Sequence, residues 1–294
     1  MRIVVIGAGG RLGAALARSY QSEHAVIGFN HQQLDLAAHD RLRETLAPFD
    51  FDVLINCAAK TNVDECERQP ESAFALNRDA PRILAEICAA EGAKLIHIST
   101  DYVFDGAKRV PYTEEDAARP ISIYGESKRE GERGVLEVSD RHLVVRLSWV
   151  FGPDRPSFVD WAIQRAREDE HVEAIADKIS APTYTLDVAE MLRPLLDHSF
   201  GHGLLHIANR GECSWQQFGQ WALDCCRAAG IPLRTDTVRP IALREMRSFI
   251  ARRPIYTVLA TGKLEQLTGI APRDWRDAVA DYVRAHVASK LPRD

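Results

Sequence analysis

The first residues of the chain restrict most strongly the fold that it can adopt. Met1–Ile6 is a short apolar, β-branched run, which is typical of a strand buried on both faces. The run leads directly into Gly7, Gly10 and Gly13 and then into the helix-forming segment Ala14–Arg18. Glycines at this spacing allow a tight turn and let the backbone approach a pyrophosphate at the amino terminus of a helix. We therefore predict a dinucleotide-binding strand, turn and helix.

Strands and helices alternate through the first half of the sequence. Further apolar runs predict strands at residues 25–30, 53–57, 94–99 and 142–147, and helical stretches such as Pro81–Cys88 lie between them. This alternation predicts an α/β fold with a doubly wound parallel sheet of the Rossmann type. Ligands bind beyond the carboxyl ends of such strands. We expect four segments to meet there in one crevice: the glycine loop, 56–62, 99–101 and 148–152.

The pattern becomes less regular after Gly152. Helices are predicted at Phe158–Asp169, Asp187–Leu196, Trp215–Ala229 and Trp275–His286, with one more strand at Leu204–Ala208. A chain of 294 residues is long enough for two cores. We expect a dinucleotide-binding domain over residues 1–152, to which about 185–209 return. The segments 153–184 and 210–294 would form a smaller C-terminal substrate domain.

Composition narrows the class of partner. The net charge of −5 argues against general nucleic-acid affinity. No apolar run approaches the roughly 20 residues needed to span a membrane, and the first residues fit a strand better than a signal peptide. The six cysteines show no C-x-x-C pair and no metal-ligand spacing. We expect reduced thiols, with Cys57 and Cys88 in the core, a cytoplasmic location, no metal site and a small-molecule substrate.

Tyr124 and Lys128 are the residues that indicate a chemical reaction. Tyr124 precedes Lys128 by four residues, which places both side chains on one face of a helix. An unperturbed tyrosine has a pKa of about 10, and a nearby positive charge lowers it towards the range in which proton transfer is efficient. Thr100, at the end of a strand, could hold a substrate carbonyl oxygen between itself and Tyr124. These residues predict proton transfer to a carbonyl group.

The end of the second strand bears on the choice of cofactor. A carboxylate there would bind the ribose 2′-hydroxyl of NAD, whereas a cation would favour the 2′-phosphate of NADP. Asn30 and His31 occupy this place without a carboxylate. Arg11 in the glycine loop could reach a 2′-phosphate or stay solvated. Between NADPH and NADH, we favour NADPH.

These motifs resemble the extended short-chain dehydrogenase/reductases and, among them, the dTDP-4-dehydrorhamnose reductases. The likeness covers almost the whole chain: Gly7–Gly13, Asn56–Asp64, Ser99–Gly106, Pro111–Tyr112, Tyr124–Lys128, Arg146–Gly152, Ala181–Thr183, Ser214–Trp215 and Ala251–Pro254. The segments S-T-D-Y-V-F-D-G, S-W-V-F-G and A-R-R-P are the most specific of these. The sequence departs from the family at Lys60, usually an uncharged residue, and at Lys178, usually glutamine.

The resemblance implies the NAD(P)H-dependent reduction of the 4-keto group of a nucleotide-linked 6-deoxysugar, dTDP-4-dehydrorhamnose to dTDP-L-rhamnose. Thr100, Tyr124 and Lys128 would be the catalytic residues. Tyr124 would give its proton to the alkoxide that forms as a hydride reaches C4. Lys128 would lower the tyrosine pKa and hold the nicotinamide ribose. The cofactor supplies the hydride chemistry, and the protein supplies orientation and electrostatics.

The expected contacts follow the same motifs. The cofactor would contact Gly7, Gly10, Arg11, Leu12, Gly13, Asn30, Asp35, Leu36, Ala58, Ala59, Lys60, Tyr124 and Lys128. The substrate would contact Thr100, Asp101, Tyr102, Trp149 and Arg253. Trp149 could equally be a core residue. Arg253 could bind the pyrophosphate through its guanidinium or stay solvated.

Other functions stay open at this point. The chain could be another extended reductase or epimerase that acts on a different nucleotide sugar, and an epimerase would retain bound NAD. It could also be a regulatory subunit that resembles the beta subunit of methionine adenosyltransferase, whose partner does the chemistry. The expected partner is a nucleotide sugar, and a homodimer is a further possibility.

Overall fold

The computed structural model of the chain describes residues 1–197 and 200–290. The strands are β1 (Arg2–Ile6), β2 (Ala25–Phe29), β3 (Val53–Asn56), β4 (Lys94–Thr100), β5 (Leu143–Leu147), β6 (Val150–Phe151), β7 (Val172–Ile175), β8 (Ile179–Ser180), β9 (Thr183–Tyr184), β10 (Gly203–His206), β11 (Cys213–Ser214) and β12 (Val238–Ile241). The α-helices are α1 (Arg11–Tyr20), α2 (His39–Leu46), α3 (Val63–Arg68), α4 (Pro70–Phe74), α5 (Ala80–Ala90), α6 (Ile123–Val138), α7 (Phe158–Glu168), α8 (Thr185–Leu192), α9 (Trp215–Ala228), α10 (Gly262–Thr268) and α11 (Trp275–Tyr282). Within these described ranges, no helix combines the length and apolar character needed to cross a membrane.

Six strands form the central sheet in the order β2-β1-β3-β4-β5-β10. Every pairing in this sheet is parallel. The predicted doubly wound α/β fold is therefore confirmed. The strand predicted near residue 204 occurs as β10 and pairs with β5, although β10 ends at His206. The division into two domains stays a prediction.

Both faces of the sheet are buried. On β1, Ile3 and Val5 point into one apolar cluster, which includes Leu16 of α1. Val4 and Ile6 point into another cluster on the opposite face, and that cluster includes Leu84 of α5. The near-continuous apolar character of the strands is the pattern expected of a parallel sheet covered by helices on both sides. The carboxyl ends of the strands are left as the edge where a ligand can approach.

A separate aromatic cluster forms beside the sheet. Phe151, Phe218, Trp275 and Tyr282 are buried together in it, and they come from β6, α9 and α11. Two predicted helices end earlier than expected. The helix predicted over Asp187–Leu196 gives way to a 3₁₀ turn after Leu192, next to a proline that has no N–H to donate. The last one ends at Tyr282 and continues as a π-helical turn.

Helix α6, which carries Tyr124 and Lys128, lies unusually close to a neighbouring turn. Ser122 caps its amino terminus by accepting a hydrogen bond from a backbone N–H of the first turn. A Cβ atom on Gly131 would fall on the carbonyl oxygen of Asn77, in the π-helical turn before α5. The absence of a side chain at Gly131 thus lets α6 pack closely against this turn.

We expect Gly131→Ala to lower the free energy of unfolding by about 2 kcal/mol, because the added methyl group would overlap the Asn77 backbone. Gly134→Ala in the same helix is the matched control. Its methyl group would lie 3.3 Å from the Arg82 side chain, and alanine has the better helix propensity by about 1 kcal/mol. Urea denaturation measures both variants. Equal stabilities would contradict the close approach at Gly131.

Candidate active site

A cleft of about 1180 Å³ runs along the carboxyl ends of the strands. Most of the predicted site residues line it: Gly7, Gly10, Arg11, Leu12, Asn30, Leu36, Ala58, Ala59, Thr100, Asp101, Tyr102, Tyr124 and Trp149. Most of them follow the carboxyl ends of separate strands, as expected for a parallel sheet, whereas Tyr124 comes from α6. One end of the cleft is the glycine loop, and the other holds the hydroxyl groups of Thr100 and Tyr124.

The glycine loop fits a pyrophosphate. Gly7 has a φ of +82°, a conformation that favours glycine. Gly10 caps α1 without a side-chain hydrogen bond, so no side chain of the cap occupies the amino-terminal N–H groups of the helix. Such N–H groups bind anions. Gly13 does not line the cleft, and a Cβ atom there would fall on the Gly7 carbonyl, so its role is to pack α1 against the turn.

The Arg11 guanidinium is not available for a 2′-phosphate, which corrects the expectation from the sequence. Its Nε and Nη1 atoms each donate to a backbone carbonyl at 3.1 Å, those of Arg155 and Val150. Its Nη2 atom donates to the carbonyl of Pro156. Arg11 therefore ties the glycine loop to the segment 150–156.

Arg155 is a cation of the cleft that the sequence reasoning missed. Its Nε atom donates to the carbonyl of Gly9 at 2.8 Å, and the side chain lines the cleft. A Cβ atom on Gly9 would lie 3.3 Å from the Asn30 Cβ and 4.0 Å from Arg155 Nη2. The guanidinium thus lies near the end of β2. Arg155 is far from this loop in sequence, and no local pattern signals the contact.

Tyr124 is a buried phenol with a raised pKa. Burial is the largest cause of the rise, and the Asp101 carboxylate adds to it. A hydrogen bond with the Thr100 hydroxyl acts in the opposite direction. Burial sets the direction of this shift in the structure, and a lowering of the tyrosine pKa by Lys128 stays a prediction. The phenol stays protonated at neutral pH.

Lys128 lies beneath the cleft and does not line it. Its Nζ atom donates to the carbonyl of Ile98 at 2.7 Å and lies 3.2 Å from His97 Nε2. Burial lowers the lysine pKa to about 8. Ile98 lines the cleft, so the amine sits just behind the wall that Thr100 and Tyr124 complete.

A buried ion pair fixes the depth of α6. Arg146 of β5 donates to both carboxylate oxygens of Glu132, at 2.8 and 2.6 Å. The Ser99 hydroxyl of β4 donates to the same carboxylate at 2.6 Å. The three side chains are almost wholly buried. The contact joins α6 to the two strands whose ends bear the site, and no local pattern in the sequence indicates it.

Three predicted cofactor or substrate residues are engaged elsewhere. Lys60 Nζ donates to Gln69 at 2.6 Å, so its charge turns towards α3 and α4 instead of the cleft. Arg253 forms a two-bond ion pair with Asp64, at 3.0 and 2.6 Å, and is neither solvated nor part of the cleft wall. The Asp35 carboxylate accepts from a backbone N–H of its own turn, and it does not line the cleft.

Trp149 lies in the cleft wall and also packs in the aromatic cluster, and its contact with substrate stays a prediction. It lines the cleft, and its ring also packs against Trp215 and Phe218, with centroids 5.7 and 6.4 Å away. Its φ of +40° is rare for a residue with a Cβ atom. Lys178 is fully buried behind this ring, with Nζ 5.5 Å from the Trp149 centroid and 5.0 Å from that of Tyr102.

Cys57 does not lie in the core, contrary to the expectation from the sequence. All six cysteines are free thiols, and Cys88 lies in the core as predicted. Cys57, also expected in the core, is only half-buried and lines the cleft. Among residues 1–197 and 200–290, no three His, Cys, Asp or Glu side chains are grouped so that they could hold a metal ion.

Comparison with known proteins assigns the family. Residues 1–287 match the RmlD substrate binding domain family. The chain belongs to this family. It is 40% identical over 292 residues to the dTDP-4-dehydrorhamnose reductase of Mycolicibacterium smegmatis, which covers 98% of this chain and 86% of that protein. The resemblance inferred from the motifs is thereby confirmed.

Solved structures of RmlD family relatives agree with this fold. A dTDP-4-dehydrorhamnose reductase of Bacillus anthracis in complex with NADP is 30% identical, with a TM-score of 0.88, and covers 96% of this chain and 98% of that one. A dTDP-4-dehydrorhamnose reductase of Clostridium acetobutylicum is 33% identical, with a TM-score of 0.89, and covers 97% of this chain and 99% of that one.

In this RmlD family chain we expect the Asp64–Arg253 pair to stabilise the protein above acidic pH. Arg253 and the N–H groups of Ile250 and Ala251 hold the pKa of Asp64 well below its usual range. The stabilisation is complete above the unfolded carboxyl pKa of about 3.9 and is lost as the pH falls towards the lowered folded value. Asp64→Asn should lower the free energy of unfolding at pH 7 by about 2 kcal/mol.

Urea denaturation between pH 3 and pH 7 measures this stabilisation. The control is Asp79→Asn, which breaks a more exposed pair with Arg78 and should change the free energy by less than about 1 kcal/mol. Equal losses in the two variants, or an Asp64→Asn loss that does not shrink at low pH, would contradict the assignment.

Proposed function

We propose that this chain reduces the 4-keto group of dTDP-4-dehydrorhamnose to give dTDP-L-rhamnose, with NADPH as the preferred cofactor. The observation that carries the proposal is that Thr100 and Tyr124 line the same cleft as the glycine loop. The M. smegmatis relative bears the name of this reductase, and the B. anthracis structure contains NADP.

The cofactor fits the cleft through this chain's own groups. The amino terminus of α1 would hold the pyrophosphate, and Leu36 and Ala58 would line the nucleoside side. The Lys128 amine, held at the carbonyl of Ile98, would donate to the nicotinamide ribose. When bound, the reduced nicotinamide supplies the hydride for the reaction.

The substrate carbonyl would lie beside Thr100 and Tyr124. As the carbonyl oxygen gains negative charge, Tyr124 transfers its proton to that oxygen and is left as a phenolate. Burial raises the pKa of the phenol, so the group is fully protonated before the transfer, although the same shift makes it a weaker acid. Tyr102 and Trp149 would supply the apolar wall at the sugar end of the cleft.

A second candidate is a related 4-keto sugar. A Streptomyces antibioticus relative, 35% identical over 295 residues, is named as a probable dTDP-4,6-dihydroxy-2-methyloxan-3-one 4-ketoreductase. The same Thr100 and Tyr124 pair would perform that reduction. The catalytic and binding roles of the individual residues, the homodimer and the cytoplasmic location are predictions.

Tyr124→Phe should lower kcat about 10²- to 10⁴-fold, because it removes the proton donor. Absorbance of NADPH follows the reaction with dTDP-4-dehydrorhamnose. Tyr112→Phe is the control, since that hydroxyl donates to Asp105 outside the cleft and its loss should leave kcat nearly unchanged. A wild-type protein that binds NADPH but oxidises it only with the second ketone would favour the second candidate. Oxidation with neither ketone would refute the proposed reaction.

Arg155→Ala should raise the KM for NADPH about tenfold and leave that for NADH nearly unchanged, because the guanidinium lies near the end of β2, where a 2′-phosphate would sit. Arg18→Ala is the matched control, since Arg18 pairs with neighbouring Asp154 and does not line the cleft. Equal rises for both cofactors would place Arg155 at a phosphate that they share, and would remove this basis for NADPH preference.

A further inference from the structure

Asp101 carries a buried carboxyl group whose two oxygens are both bound inside the protein. Its Oδ2 atom accepts from the hydroxyls of Thr257 and Ser180, at 2.5 and 3.1 Å. Its Oδ1 atom accepts from the Thr100 hydroxyl at 3.2 Å. All four side chains are almost wholly buried. Asp101 thus orients three hydroxyls, and one of them is the Thr100 hydroxyl of the cleft.

The orientation of the Thr100 hydroxyl depends on the charge of Asp101. The Thr100 Oγ1 atom accepts the backbone N–H of Tyr102 at 3.2 Å and directs its own proton to Asp101. A proton on Asp101 Oδ1 would reverse this contact, because the carboxylic acid would then donate to Thr100. A proton on Oδ2 would remove the charge that makes a carboxylate about twice as strong an acceptor. The ionised form of Asp101 therefore holds Thr100 most firmly.

A buried carboxylate needs a compensating charge, because an unpaired charge in the protein interior is strongly unfavourable. Lys178 supplies a positive charge beside Asp101, and its side chain is fully buried. Burial raises the pKa of Asp101, and the charge of Lys178 is the largest of the effects that lower it. Lys178 and Ser180 belong to the same short segment, so one segment brings both a cation and a hydroxyl to Asp101.

The Lys178 amine makes no hydrogen bond with the residues that the structure describes. Its Nζ atom lies 5.0 Å from the ring centroid of Tyr102 and 5.5 Å from that of Trp149. The faces of aromatic rings attract a cation. Burial lowers the lysine pKa only to about 8, so most of the amine is charged at pH 7. The contacts of Lys178 therefore place a positive charge next to Asp101 without binding it to any one oxygen.

We propose that Lys178 is a positioning residue whose buried positive charge keeps Asp101 ionised, so that Asp101 fixes the hydroxyl of Thr100. The effect on turnover rests on the proposed function. The ionisation of Asp101 is a property of the protein alone and can be measured without turnover.

The other charged and titratable groups near this pair leave the balance to Lys178 and Asp101. Tyr102 and Tyr124 are buried phenols with raised pKa values, so both are uncharged at neutral pH. The charge of Arg253 opposes that of Lys178, but its guanidinium already forms a two-bond ion pair with Asp64.

The titration of Asp101 tests the proposal directly. NMR of protein labelled with ¹³C at the aspartate Cγ follows each carboxyl group from pH 4 to pH 9, and Asp101→Asn assigns the signal. Wild-type Asp101 should be ionised at pH 7. Lys178→Met keeps an unbranched side chain but removes the charge, so the Asp101 midpoint should rise by about 1–3 pH units.

Two further variants separate the effect of charge from a general change in packing. Lys178→Gln keeps a polar group that can donate to Asp101, so the midpoint should rise by less than in Lys178→Met. Lys94→Met removes another buried lysine, whose amine is bound to the carbonyls of Leu195 and Phe200, and should leave the midpoint unchanged. A wild-type Asp101 that is protonated at pH 7, or a wild-type midpoint in both Lys178 variants, would overturn the proposal.

The pH profile of turnover tests the link to Thr100. If Asp101 must be ionised to hold this hydroxyl, kcat with dTDP-4-dehydrorhamnose should fall on the acidic side at the Asp101 midpoint. This limb should move to higher pH in Lys178→Gln by the same amount as the NMR midpoint, with the KM for NADPH unchanged. A limb that stays in place while the midpoint moves would overturn the role in orienting Thr100. The carboxyl signal is readable in an inactive protein, so failure of the proposed reaction is a separate result.

Discussion

The buried ion pair of Glu132 and Arg146 is the contact on which the arrangement of the cleft depends. The pair holds helix α6 at a fixed depth against the sheet. The Ser99 hydroxyl donates a third hydrogen bond to the same carboxylate. A buried pair that loses one partner leaves an uncompensated charge, at a cost of about 3–5 kcal/mol. Because α6 is held here and at Gly131, Tyr124 reaches Thr100 and Lys128 reaches Ile98.

Burial shifts the pKa values of Tyr124 and Lys128 in opposite directions, although the sequence predicts that the two residues act as a pair. Their spacing on a helix predicted a phenol made acidic by a neighbouring ammonium. Burial acts on both groups in the structure: it raises the pKa of Tyr124 and lowers that of Lys128. Desolvation disfavours the charged form of each. The phenol is therefore protonated at neutral pH, as a proton donor must be before it transfers its proton.

Features that depend on neighbouring residues could be predicted from the sequence, and contacts between residues far apart in the chain could not. The strands, the glycine turn and the positions of Thr100 and Tyr124 depend on periodicity and on strand ends, which a short window reveals. The contacts of the charged lysine and arginine side chains were harder to predict. Arg11, Lys60 and Arg253 have partners between 2 and 189 residues away, and a long side chain can turn to any of several faces. Arg155 gave no local signal, because its place in the cleft depends on residues that only the fold brings beside it.

The segment 150–156 has a consequence for the order of events in the cleft. Arg11 and Arg18 reach it from α1, and Arg155 reaches back to Gly9, so the segment is fastened to the loop that would hold the pyrophosphate. The same segment follows Trp149 at the sugar end. A dinucleotide bound at the glycine loop would therefore also order the wall that faces the sugar. From this connectivity we predict ordered binding, with the dinucleotide first and the sugar second.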